Sequence, residues 1–174
     1  MRKILIIGSG GAGKSTFARR LSKIINIEVV HLDTLYWKPG WAKTPDVEWR
    51  KTVEALIERD SWIMDGNYSN TLDVRFKACD TMILLDLPTR VCLWRVLKRM
   101  VEYRNRKRPD LAEGCYEKFD LEFLLWVWNY RKRTKPKILK LIEENCHGKR
   151  VIRLRSTTEV KRYLSDLSLR NLSV

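Results

Sequence analysis

Gly8-Ser9-Gly10-Gly11-Ala12-Gly13-Lys14-Ser15, with Thr16 behind it, decides how the rest of the chain is read. It follows the apolar run Ile4-Leu5-Ile6-Ile7 and precedes the helical spacing of Phe17, Leu21, Ile24 and Ile25. That is G-x-x-x-x-G-K-[ST] between a strand and a helix, the context in which the pattern carries meaning. The glycines let the backbone turn until successive N–H groups point into one concavity. The helix that follows aims its positive dipole end at the same place. Lys14 adds a mobile cation for the β- and γ-phosphates of a nucleotide, and Ser15 offers a hydroxyl to Mg²⁺.

The other properties of the chain agree with a compact nucleotide-binding protein. Its 174 residues suffice for one domain with a proper core, and 44% apolar with 32% charged residues exclude a disordered chain. No apolar run approaches the roughly 18 residues of a membrane span. The run after Met1-Arg2-Lys3 ends at Gly8, too short for a secretory signal, so a cytoplasmic location is expected. Cys79, Cys92, Cys115 and Cys146 have no metal-binding spacing and read as reduced thiols. The net charge is +14. Half of it lies between Arg95 and Lys137, a concentration that suits nucleotide phosphates or nucleic acid.

Downstream, Ile27–Leu32 reads as a second strand with Asp33 at its carboxyl end, the edge where such sheets bind ligands. Asp33 there would orient a nucleophile or accept a proton; the alternative is a helix cap. Residues 34–60, with Trp37, lie where an acceptor would be held, whereas Trp49 reads as core. Ser61–Met64 is a third strand ending in Asp65-Gly66-Asn67-Tyr68, and three apolar residues before an Asp suit a metal-holding strand end. Asp86, after a fourth strand from Thr81, competes for that role, with Asp65 preferred. Arg75 is expected to reach a phosphate.

From Thr89 a helix is expected with Leu93, Trp94, Leu97 and Val101 on its apolar face. Arg95 and Arg99, four apart, would form a phosphate clamp on another face. A basic loop, Arg104–Pro109, belongs to a lid spanning about 100–135. Phe119–Tyr130 reads as a buried aromatic helix that Pro136 should kink or restart, with Arg131 or Arg133 facing the phosphates. Val151–Leu154 is the fifth strand, and Ser156-Thr157-Thr158-Glu159 opens a last helix with capping-box spacing.

The loop, Asp33, Asp65-Gly66 and Arg95-x-x-x-Arg99 before a basic lid together resemble the adenylate-kinase-like P-loop small-molecule kinases. His31-Leu32-Asp33, Trp37, Trp62–Tyr68 and Leu93–Arg99 look like a bacterial branch labelled DNA topology modulation protein. The resemblance implies an α/β/α fold with a five-stranded parallel sheet in order 2-3-1-4-5. It implies ATP held by Gly8–Thr16, Mg²⁺ held by Ser15 and, through water, Asp65, and Arg95, Arg99 and a lid arginine such as Arg133 neutralising charge. Asn67-Tyr68-Ser69 replaces the family's Phe-Pro-Arg and so removes the arginine that would meet an acceptor's phosphate, which tells against AMP.

A single domain transferring the γ-phosphate of ATP to a small molecule is therefore expected. Lys14, Asp33, Arg95 and Arg99 would act on the reacting groups, and Asp33, Trp37, Asp65, Gly66, Asn67, Tyr68 and Arg75 would hold the acceptor. The rival expectation is a nucleotide-dependent nucleic-acid-binding or regulatory protein using the basic surface.

Overall fold

The computed structural model describes residues 1–103, 112–116 and 118–172. Five parallel strands form the central sheet: β1 (Lys3–Gly8), β2 (Val29–His31), β5 (Trp62–Asp65), β6 (Thr81–Leu85) and β7 (Arg150–Leu154). Their spatial order is β2-β5-β1-β6-β7. Two short strands absent from the sequence reading, β3 (Trp37–Lys38) and β4 (Ala42–Lys43), pair antiparallel as a separate hairpin and shift the numbering. Counted within the large sheet alone, the order matches the one expected.

Strand β1 shows why the sheet is two-sided. Ile4 and Ile6 join one buried cluster and Leu5 and Ile7 the other, so every position is apolar rather than every second one. The first cluster lies under α1 (Lys14–Ile25), α5 (Thr89–Glu102) and α8 (Thr157–Leu172). The second lies under α3 (Asp46–Ile57), α4 (Leu72–Ala78) and α7 (Lys135–Asn145). Helix α6 (Leu121–Arg133) contributes Val127 to the first and Tyr130 to the second. It therefore touches both cores.

Local signals placed several boundaries well. The Ser156 hydroxyl accepts from Glu159 N–H at 3.1 Å, and the Glu159 carboxylate accepts from Arg155 N–H at 2.7 Å, a capping arrangement at the start of α8. Pro136 sits in the first turn of α7, where its missing N–H costs nothing, and the helical run restarts there. Trp49 is buried in the core as expected, Cys79 and Cys92 are buried there too, and all four cysteines are free thiols.

Two helix faces were misjudged. On α5 the sheet buries Cys92, Val96 and Met100, leaving Trp94 67% and Val101 78% exposed. On α6 only Val127 and Tyr130 are buried, and Leu121, Leu125 and Trp128, with Phe119 just before the helix, are exposed. The basic loop Arg104–Pro109 lies outside the described residues.

Candidate functional site

The glycine-rich loop leaves β1 at the carboxyl edge of the sheet and enters α1 through Gly13. Gly11 is at φ 73° and packs on the Cys92 carbonyl of α5 so closely that a Cβ would overlap it. Both facts require glycine. At Gly10 the constraint comes from elsewhere: a Cβ would lie 2.6 Å from Phe123 Cζ and 2.9 Å from Val127 Cγ2. The loop is thus pressed between α5 and α6. Lys14 Nζ folds back on it, donating to the Gly8 and Ser9 carbonyls at 3.1 Å each. Desolvation pulls the Lys14 pKa below its ordinary value, and Arg99 adds to that, while Asp33 and Asp65 oppose it. Lys14 therefore feels the charges of Asp33, Asp65 and Arg99. Ser15 is half-buried in the first turn of α1 and Thr16 beside it is exposed.

Asp33 lies in the first turn of a short helix, α2 (Leu32–Tyr36), directly after β2; His31, not Asp33, is the capping position. Asp33 Oδ1 accepts from the Tyr68 hydroxyl at 2.6 Å. Asp65 ends β5 opposite His31 in the strand register, and its Oδ1 meets His31 Nδ1 at 2.8 Å. The aromatic side chains continue outward from Tyr68. Its ring centroid is 4.5 Å from Tyr36 and 5.0 Å from Trp49, and Tyr36 meets Trp37 at 5.0 Å. Trp37 in turn meets Trp41 at 5.3 Å. The Trp37 backbone N–H closes α2 by donating to the Asp33 carbonyl.

Arg75 corrects the sequence reading. It is 0% exposed on α4, and its guanidinium donates to the carbonyls of Gly66 (2.9 Å), Asn67 (3.1 Å), Tyr68 (2.8 Å) and Thr71 (3.3 Å). Burial pulls its pKa down to about 10, and its bonds are spent on these carbonyls inside the protein. Arg75 is the spool on which the Asp65–Tyr68 turn is wound. Gly66 allows that turn with φ 138°. Asn67 is likewise committed to the protein: Nδ2 donates to Gly8 O at 2.7 Å, and Oδ1 accepts from Gly8 N–H at 3.2 Å.

The two arginines of α5 also separate. Arg95 donates through Nη2 to Thr157 Oγ1 at 3.0 Å and lies 3.5 Å from the Ala12 carbonyl, beside the loop. Arg99 lies over the Phe123 ring, 5.7 Å from its centroid. Arg95 thus lies toward the loop and α8, and Arg99 toward α6. Arg133 is exposed at the far end of α6, six residues beyond Val127 and so roughly 9 Å further along the helix axis. Asp86 is occupied by Lys135 at 2.8 Å and Arg153 at 2.6 Å.

The sequence matches no protein-family model and no curated protein. Solved structures do match. Deoxyadenosine kinase from M. mycoides with bound dATP superimposes with a TM-score of 0.51 at 14% identity, over 96% of this chain and 99% of that one. The same enzyme with products dCMP and a flexible dCDP bound gives 0.50 at 15% identity, over 98% and 99%. This chain has the P-loop kinase fold.

Three features of the site carried no sequence signal. The β3–β4 hairpin is tied to residues 112–116: Gly40 N–H donates to Gly114 O (3.2 Å), Trp41 Nε1 to Tyr116 O (3.0 Å) and Cys115 Sγ to Lys38 O (3.3 Å). Phe123 and Val127 roof Gly10. His31 faces Asp65 because adjacent parallel strands bring their ends level. These are pairings across large sequence separations, which no local spacing encodes. Chemically, the edge offers a glycine-rich loop and the Lys14 cation on one side and two carboxylates beside a cluster of aromatic rings on the other.

Proposed function

We propose that the chain is an ATP-dependent phosphotransferase of the adenylate-kinase-like P-loop type, moving the γ-phosphate to a small-molecule acceptor related to nucleosides or nucleotides. The observation that carries this is the convergence of Lys14, Asp33, Asp65 and Arg99 at one sheet edge. A nucleotide switch needs the cradle alone; a transferase also needs a second seat, and Asp33 with Tyr68 and Trp37 supplies one. That proteins of the same fold carry bound dATP, dCMP and dCDP supports the assignment.

In this reading the loop N–H groups and Lys14 take the β- and γ-phosphates, with Lys14 leaving the Gly8 and Ser9 carbonyls to do so. Arg99 would neutralise charge in transit, Arg95 would flank the loop at Gly13, and Arg133 would approach only if the α6 end moved inward. Ser15 and Asp65 together offer a hydroxyl and a carboxylate, a sparse oxygen set that suits Mg²⁺ bringing its own waters and phosphate oxygens. Mg²⁺ would supply charge neutralisation at the phosphates. Residues 100–135 would act as the lid. Among the described residues no helix is long and apolar enough to cross a membrane, and we place the chain in the cytoplasm. Transfer from labelled ATP to an acceptor panel tests the assignment: Lys14→Ala should reduce it by about 10²–10³-fold, and unchanged transfer would overturn it.

The second reading, a nucleotide-dependent nucleic-acid-binding or regulatory protein, draws on the basic surface. A groove between α1 and α8 is lined by Arg20, Lys23 and Lys161. Binding there would weaken steeply with salt. Salt-independent or absent binding of duplex DNA would dispose of it.

A further inference from the structure

We infer that His31 is a positioning residue of the nucleotide site: it holds the Asp65 carboxylate on the side away from Lys14, and so keeps that lysine available to phosphate. The inference rests on the phosphotransferase reading above and adds a residue to its nucleotide site.

The sheet sets the direction of the pull. Asp65 ends β5, and the strand register places it between His31 of β2 on one side and Ile6 of β1 on the other. The glycine-rich loop and Lys14 follow β1, so His31 stands level with Asp65 on the flank opposite the loop. A carboxylate only accepts hydrogen bonds, which makes the imidazole Nδ1 the donor in the 2.8 Å contact with Asp65 Oδ1. The two side chains are 16% and 5% exposed, and little water competes for that bond.

The charges explain why the pull matters. Asp65 and Lys14 attract each other across the edge of the sheet. Yet Lys14 Nζ is bonded to the Gly8 and Ser9 carbonyls at 3.1 Å each, and among the described residues it closes no ion pair. A buried lysine beside an untethered carboxylate would pair with it, because neither charge has water to take the partner's place. Asp65 is satisfied by an imidazole instead. The carbonyl contacts left to Lys14 are weaker than an ion pair, and a triphosphate can displace them.

Without His31 the carboxylate is free to turn toward the loop. Nucleotide then binds only those molecules whose lysine is not captured, and the apparent Kd rises by the inverse of their fraction. Capture in about nine molecules of ten raises it about tenfold.

Calorimetric titration of the full chain with ATP in EDTA tests this, since without metal the Mg²⁺ role of Asp65 does not enter. His31→Leu should raise the ATP Kd about tenfold. His31→Asn, whose Nδ2 lies where the imidazole Nδ1 lies, should bind within about twofold of the parent. The deciding comparison is a double-mutant cycle with Asp65→Asn, a side chain that carries no charge to pair with Lys14. In that background His31→Leu should no longer weaken ATP binding, whereas a packing role for His31 would cost the same in both. If a urea midpoint shows His31→Leu unfolded, His31→Phe takes its place in the cycle. An equal loss in both backgrounds, no loss in either, or a loss in His31→Asn as large as in His31→Leu overturns the inference and leaves the nucleotide site standing. A parent chain that does not bind ATP, or binds it equally after Lys14→Ala, overturns the phosphotransferase reading and this inference with it.

Discussion

The carboxamide of Asn67 is bonded to the backbone of Gly8 at both ends, to its carbonyl at 2.7 Å and from its N–H at 3.2 Å. A side chain two residues beyond β5 thus carries the pairing of β5 with β1 on to Gly8, the last residue of β1, where the glycine-rich loop begins. Asn67→Leu should lose both bonds while keeping the volume. With each bond worth about 1 kcal/mol, ATP affinity should fall about tenfold. Calorimetric titration with ATP checks this, and an unchanged Kd would show that the loop holds its place without Asn67.

Gly10 lies under Phe123 and Val127 of α6, so Gly10→Ala introduces a methyl where there is no room. We expect about 1–3 kcal/mol of destabilisation from overpacking. Phe123→Leu in the same chain should restore part of it, because the closest atom, Phe123 Cζ, is then gone. Urea midpoints of the single and double variants make the comparison. Full additivity would mean that α6 does not rest on the loop in solution.

Arg75 is buried with four carbonyl acceptors and acts as a bracket for the Asp65–Tyr68 turn. Arg75→Lys keeps a charge but loses the planar fork, stranding carbonyls in the interior. A loss of about 3 kcal/mol in unfolding free energy is expected, read from urea denaturation. A variant as stable as the parent would refute the bracket.

Asp86 joins the end of β6 to Lys135 of α7 and Arg153 of β7. Burial raises its carboxyl pKa, but hydrogen bonds and charge from Lys135 and Arg153 outweigh this and hold it below the usual value. A carboxyl depressed in the folded state adds stability that is complete above its unfolded pKa. That stability is lost as pH falls through the folded one, here from about pH 4 downward. Asp86→Asn should therefore cost about 3–5 kcal/mol at pH 7, leaving Lys135 buried without its counter-charge. The gap to the parent should narrow toward pH 3. Denaturation curves at the two pH values decide it, and an equal gap at both would exclude the pairing as its source.

Local chemistry made much of this protein legible. The phosphate loop depends on neighbours within nine residues of sequence, and the restart at Pro136 and the cap at Ser156 depend on fewer. The three central strands, β1, β5 and β6, were visible because a sheet buried on both faces needs nearly unbroken apolar runs, which few other segments contain. On α5, by contrast, Cys92, Val96 and Met100 compete with Leu93, Trp94, Leu97 and Val101, and both sets have helical spacing. Periodicity cannot choose between two apolar stripes; the sheet beneath did, and it took the smaller side chains that allow close approach to Gly11.

The polar residues of the site divide the same way. Sequence by itself determined a glycine-rich turn at Gly8–Thr16 between a strand and a helix, and an acid at or just beyond the carboxyl ends of the second and third strands of the sheet, Asp33 and Asp65. Only the tertiary structure decided that Arg75 turns inward, that Asn67 grips Gly8, that Arg95 reaches Thr157 while Arg99 lies over Phe123, and that Tyr68 meets Asp33. The reason is physical. A backbone turn or a cap is settled by atoms a few bonds away, whereas a guanidinium or carboxamide at the end of a long side chain takes whichever partner the fold brings within 3 Å.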